Sequence, residues 1–146
     1  DLGIAISEDR LFAVQCYINA EKCFYIAKVF YHYYMRSGSA SHSMSKILIE
    51  KEVECVKLIE EYLLSYKDAK KYILKQKIEA KKHAALCCIP LQFTLCRSIF
   101  PEIDKQIFSV DKKFGLLYFF ISHRLNLVAR FVIFTWRVML EIKNAF

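Results

Sequence analysis

With 146 residues and a mass of 17.2 kDa, the chain fits one helical domain, 1–146, built around one core. Its 55% hydrophobic content, three Gly and two Pro exclude a disordered tail, a collagen-like repeat and a loop-rich scaffold. A net charge of +7 beside a mean hydropathy of +0.21 makes the protein basic and apolar together, a surface drawn to nucleic acid, phospholipid headgroups or a polyanionic matrix.

The first helix is expected from the N-cap Ser7 to about Arg36. Phe12, Cys16, Ala20, Cys23, Ala27, Phe30 and Tyr34 recur at spacings of three and four and mark its core face. Leu11, Val14, Ile18, Tyr25 and Val29 make the other side apolar as well. Such a helix is either central and packed from several sides or carries an exposed apolar patch. The cluster Ser37-Gly38-Ser39-Ala40-Ser41-His42-Ser43 then reads as a helix–helix connection.

A second long helix, antiparallel to the first, is expected from Ser43 towards Pro90, since neither Gly nor Pro interrupts it. Its inward stripe is Met44, Leu48, Cys55, Ile59, Tyr62, Tyr66, Ala69, Ile73 and Ala80. Its start is acidic and its end basic, which suits the helix dipole, and the basic end gathers Lys67, Lys70, Lys71, Lys75, Lys77, Lys81 and Lys82. Pro90 and Pro101 mark the first turns of two short helices. After Ser109 or Asp111 as a cap, a last helical pattern runs to about Lys143 with Gly115 as its weak point. Its polar stripe, His123, Asn126, Arg130, Arg137 and Glu141, is narrow. The rest is Leu, Val, Ile, Phe, Tyr or Trp136, as in a helix buried on most sides or lying in a lipid interface.

No segment supplies the roughly 18–20 uninterrupted apolar residues of a transmembrane helix; the run Phe114 to Ser122 stops at His123-Arg124. The chain starts at Asp1 without a basic-then-apolar leader, as a processed secreted form would and as a trimmed chain would too. The six cysteines, Cys16, Cys23, Cys55, Cys87, Cys88 and Cys96, allow three bridges, while buried thiols serving as small apolar residues are the competing expectation. Cys16 and Cys23, seven apart on one helix face, would lie about 10 Å apart and cannot bridge each other.

Catalytic constellations are missing from the sequence. There is no His-Glu-x-x-His and no Glu-x-x-His, and His83 with Cys87, Cys88 and Cys96 matches no standard zinc spacing. No Gly-x-Ser-x-Gly occurs, and three glycines cannot build a phosphate-cradling loop. Neither an enzyme nor a cofactor or metal is expected. Nucleic acid is not an expected partner either, because the basic segment offers Lys rather than the Arg and Asn that read base edges.

The ordered set Tyr33-Tyr34 before Gly38, Ser43-Met44-Ser45-Lys46, Tyr62-Leu63-Leu64, Lys70-Lys71-Tyr72-Ile73, Pro90, Arg97 and Glu102-Ile103-Asp104-Lys105-Gln106-Ile107 resembles the abalone sperm acrosomal proteins, the family of sperm lysin and its fusagenic paralogue. The likeness covers about half the chain. It implies a compact bundle of about five helices, storage in the acrosomal vesicle, release at the egg, and action without catalysis or cofactor. Apolar or acidic residues at lysin-type basic positions, the six cysteines and the hydrophobic C-terminal segment make the chain more similar to the fusagenic member.

The expected function is therefore that of a secreted, cationic, amphipathic protein that binds the anionic egg plasma membrane and promotes sperm–egg fusion. Phe119, Phe120, Phe134 and Trp136 are the candidate insertion residues. Arg124, Arg130, Arg137 and the seven lysines are the candidate basic contacts. The alternatives are lysin-like, non-enzymatic dissolution of the egg envelope through an egg-coat glycoprotein and, further off, a nucleic-acid-binding bundle. A homodimer would hide part of the excess apolar surface.

Overall fold

The computed structural model describes residues 8–29, 46–86 and 90–144, with side chains described for 9–29, 46–86, 93–136, 138 and 139. Among these the regular structure is helical throughout. It comprises α1 (Glu8–Asn19), α2 (Lys46–Leu63), α3 (Lys70–Leu86), α4 (Pro90–Ser98), α5 (Ile107–Val110), α6 (Lys112–Ser122) and α7 (Asn126–Asn144), with 3-10 turns at Lys67–Ala69 and Pro101–Gln106. There are more helices than the five expected because both long helical patterns are interrupted. The chain forms two compact units, Asp1–Ser65 and Tyr66–Phe146.

In the first unit, Leu11 and Val14 of α1 pack on α2, whose buried residues Ile49, Cys55, Val56, Ile59 and Leu63 repeat at helical spacing. This reverses the expected core face of α1: Phe12 and Cys16 are exposed. Both sides of the helix are apolar, so periodicity alone does not choose between them. The helix also ends at Asn19 rather than near Arg36. There the Asn19 side chain donates to the Gln15 carbonyl at 2.8 Å, closing the last turn, and to the Tyr62 hydroxyl at 3.0 Å. Beyond it, the aromatic and β-branched residues Phe24, Tyr25, Ile26 and Val29 are poor helix formers. Arg10 meets the buried Glu52 at 3.5 Å while Asn19 meets Tyr62, so contacts advance in the same direction along both helices. α1 and α2 thus run side by side with the same sense rather than antiparallel.

The expected second long helix stops at Leu63. Tyr66 is extended (φ −102, ψ 109), and a 3-10 turn then opens α3. Neither Gly nor Pro stands at this break, whose residues Ser65 and Tyr66 have only a mild preference against helix.

In the second unit, α3 packs on α4 and on Pro101–Gln106, and α6 packs on α4, α5 and α7. Ile78, Ala84, Phe93, Cys96, Ile103, Ile107, Phe114, Leu117, Ile121, Ala129 and Ile133 form its core. Pro90 and Pro101 open their elements as expected, and Asp111 caps α6 by accepting from the Phe114 N–H at 2.9 Å.

Gly115 does not weaken the final pattern. It lies buried inside α6, where a Cβ would sit 2.7 Å from the Phe108 Cα, so its bare backbone lets α5 approach. The break comes instead at residues 123–125. Arg124 adopts the left-handed conformation (φ 59), its N–H donates to the Ile121 carbonyl at 3.2 Å, and the Leu125 N–H donates to the Phe120 carbonyl at 2.9 Å. That is a Schellman ending with Arg where Gly is usual. The Arg97 guanidinium adds a third bond there, to the Ile121 carbonyl at 3.0 Å.

Candidate functional site

α7 separates two apolar faces. Ala129 and Ile133 point into the unit and are buried, whereas Leu127, Phe131, Phe134 and Val138, at spacings of four, three and four, form a stripe on the opposite side. Three of them are widely exposed, 80% for Leu127, 68% for Phe131 and 64% for Phe134, and Val138 is 37% exposed. Arg130 is exposed along one edge of the stripe and Met139 along the other. A helix whose outer side carries four large apolar groups and flanking positive charge has the composition of an interfacial surface.

The sequence-derived insertion residues divide accordingly. Phe134 lies in the stripe, and Phe119 on α6 is exposed, its ring 4.2 Å from the His123 ring. Phe120 and Trp136 are half-buried. Trp136, three residues after Ile133, flanks the inward face of α7 and is not a free insertion residue. Sequence reasoning passed over Leu127, Phe131, Val138 and Met139, although the three-and-four spacing through Phe134 marks the first three.

The lysine cluster also divides. Lys67, Lys70, Lys71 and Lys75 are exposed at the start of α3 and in the turn before it. Lys77 and Lys81 are not surface anchors: they are 7% and 0% exposed. Lys77 pairs with Glu102 at 2.8 Å and lies over the Phe100 ring. The Lys81 ammonium is 2.8 Å from Asp104 Oδ1, donates to the Ile99 carbonyl and sits over the Tyr118 ring. Tyr118 donates to the other Asp104 oxygen at 2.8 Å. Both lysines fall on the stripe of Ile78, Ala84 and Ala85, so the helix carries them inward and acidic partners neutralise them. Lys82 is half-buried and pairs with Asp111 at 3.2 Å and Glu79 at 3.4 Å. Arg124 and Arg130 are exposed; the Arg137 side chain lies outside the described residues.

These pairs shift the acids. Burial alone would raise the Glu102 carboxyl, but the Lys77 hydrogen bond, its own backbone N–H and nearby lysine charge hold it below its ordinary value. Asp111 is likewise lowered, because bonds from the Phe114 N–H and Lys82 outweigh its burial. Tyr118 is raised by burial and then by Asp104. Burial pushes the Cys96 thiol up to about 12, which keeps it a neutral core group. Cys55 is buried in the core of the first unit, while Cys16 and Cys23 are exposed. Cys87 and Cys88 lie outside the described residues.

Among the described residues no group of His, Cys, Asp and Glu is placed to hold a metal, and no helix is long and apolar enough to cross a membrane. Comparison of the chain with protein families, with curated proteins and with solved structures finds no match in any of the three.

Proposed function

We propose that this is a cationic, acrosomal, secreted protein that binds the anionic egg plasma membrane and promotes its fusion with the sperm membrane, without catalysis. The observation that carries this reading is the outward stripe Leu127, Phe131, Phe134 and Val138 on α7, with Arg130 at its edge. The sequence resemblance to the fusagenic acrosomal proteins supports it independently.

The physical sequence starts with the net charge of +7, which concentrates the protein at a negatively charged leaflet. Exposed Lys67, Lys70, Lys71 and Lys75 add local attraction, each roughly 1 kcal/mol near such a surface. The apolar stripe then enters the boundary between headgroups and acyl chains, with the arginine stem extending along it and its charge at the phosphates. Inserted wedges expand one leaflet and lower the cost of the bent intermediates that fusion passes through.

Lipid mixing between anionic vesicles tests the reading, run beside dissolution of isolated egg envelopes. Wild-type protein is expected to mix anionic but not neutral vesicles, and the double substitution Phe131→Ser, Phe134→Ser to abolish mixing while the helical circular dichroism is retained. Envelope dissolution with intact vesicles would replace this reading by lysin-like binding of an egg-coat glycoprotein.

A further inference from the structure

Between the 101–110 segment and α6 of the second unit lies an open cleft of about 370 Å³. Its walls are mainly apolar, from Ile107, Phe108, Gly115, Tyr118 and Phe119, with Asp104, Lys105 and Ser122 at the polar positions. The close approach at Gly115 shapes it: a side chain there would collide with Phe108 and displace that wall. The volume is near the lower end of small-molecule sites, roughly 300–1,000 Å³, and suits one hydrocarbon chain rather than two.

The charge at this cleft follows from the ion pairs. The acids of the 101–111 segment, Glu102, Asp104 and Asp111, each face a lysine of α3, and Asp104 engages both oxygens, with Lys81 and with the Tyr118 hydroxyl. Lys105, in the wall, and Lys112 are exposed and make no ion pair among the described residues. Lys112 shares the α6 face of Gly115, Phe119 and Ser122 by its spacing of three, seven and ten residues, one turn before Gly115. An apolar slot thus carries the positive charge of Lys105 in its wall, and the helix face that forms its other wall continues one turn back to Lys112.

We propose that this cleft holds an acyl chain of an anionic phospholipid, with Lys105 and Lys112 at its headgroup. Such a site is the lipid-selecting part of the membrane reading and rests on it. It lies on the α5–α6 side, whereas the stripe of α7 needs no particular lipid, only negative charge and an apolar interior.

Titration of the full chain with dihexanoylphosphatidylserine, below its micelle concentration, tests the cleft apart from bilayer binding. Saturable one-to-one binding is expected, with dihexanoylphosphatidylcholine and the chainless glycerophosphoserine each weaker by about tenfold or more. Ser122→Phe, which fills the slot from its exposed rim, should abolish binding, and Lys105→Gln with Lys112→Gln should remove the preference for serine over choline. Sedimentation with anionic vesicles is followed in parallel and should persist in Ser122→Phe. Equal binding of the choline lipid, equal binding of glycerophosphoserine, or binding that survives Ser122→Phe in a folded protein would overturn the cleft assignment. Vesicle binding without monomer binding would overturn the cleft and leave the membrane reading standing; a wild type that binds neither vesicles nor the monomeric lipid would overturn both.

Discussion

Lys81 concentrates the polar energetics of the second unit in one residue. Its ammonium has lost its water completely, and Asp104, the Ile99 carbonyl and the Tyr118 ring replace that solvation. Lys81→Met keeps much of the side-chain volume and removes the buried charge, leaving the buried Asp104 Oδ1 without its ion pair while the rest of that side chain stays in contact with solvent. A loss of about 1–3 kcal/mol is expected, below the 3–5 of a fully buried broken pair, and Lys81→Glu should prevent folding. Urea unfolding measures both. Arg124 gives the opposite sign. Because it occupies the left-handed position of a Schellman ending, Arg124→Gly should stabilise by about 1 kcal/mol in the same measurement. The burial of Lys77 and Lys81 overturns their sequence reading as surface contacts, although both share the spacing of Ile78, Ala84 and Ala85. Their partners were not legible, because the acids come from a segment about twenty residues further on, and single-sequence periodicity carries no information about which elements meet.

At the scale of elements, the α3 lysines tie that helix to the 101–111 segment through three ion pairs, with Glu102, Asp104 and Asp111. Glu102 and Asp111 are lowered in the folded chain, so they favour the fold while ionised. Their contribution is present above the ordinary carboxylate values of about 4 and is lost as pH falls through the lower folded values. Thermal unfolding followed by circular dichroism should therefore show a melting temperature that declines below about pH 4, with Glu102→Gln and Asp111→Asn flattening that decline. The caps and proline starts that bound these elements are local chemistry, which is why Pro90, Pro101 and Asp111 could be placed from sequence. The breaks at Ser65-Tyr66 and His123-Arg124 lack Gly and Pro. They depend on residues whose helix preference is only slightly unfavourable, so tertiary packing decides them.

Across the whole molecule, helical content and net charge follow from composition, but the outward side of α7 does not. Phe131 and Phe134 are chemically equivalent to the core residue Phe114; only the packing of Ala129 and Ile133 against the rest of the unit turns them to solvent. The wide apolar face was therefore legible in the sequence, while the division between its outward residues and the half-buried Trp136 was not. The same dependence on net charge predicts that vesicle binding weakens steeply between low salt and about 0.5 M, as the Debye length shrinks below the separation of the surface charges.

Fluorescence quenching by lipids brominated on their acyl chains tests the central claim most directly, because Trp136 is the only tryptophan in the sequence. In a Trp136→Phe background, Phe134→Trp places an indole on the outward stripe. Strong quenching in anionic vesicles, with weak quenching in neutral ones and weaker quenching of the native Trp136 in the unsubstituted protein, is the expected result. No quenching at position 134, or quenching independent of lipid charge, would contradict insertion of α7 through its exposed face.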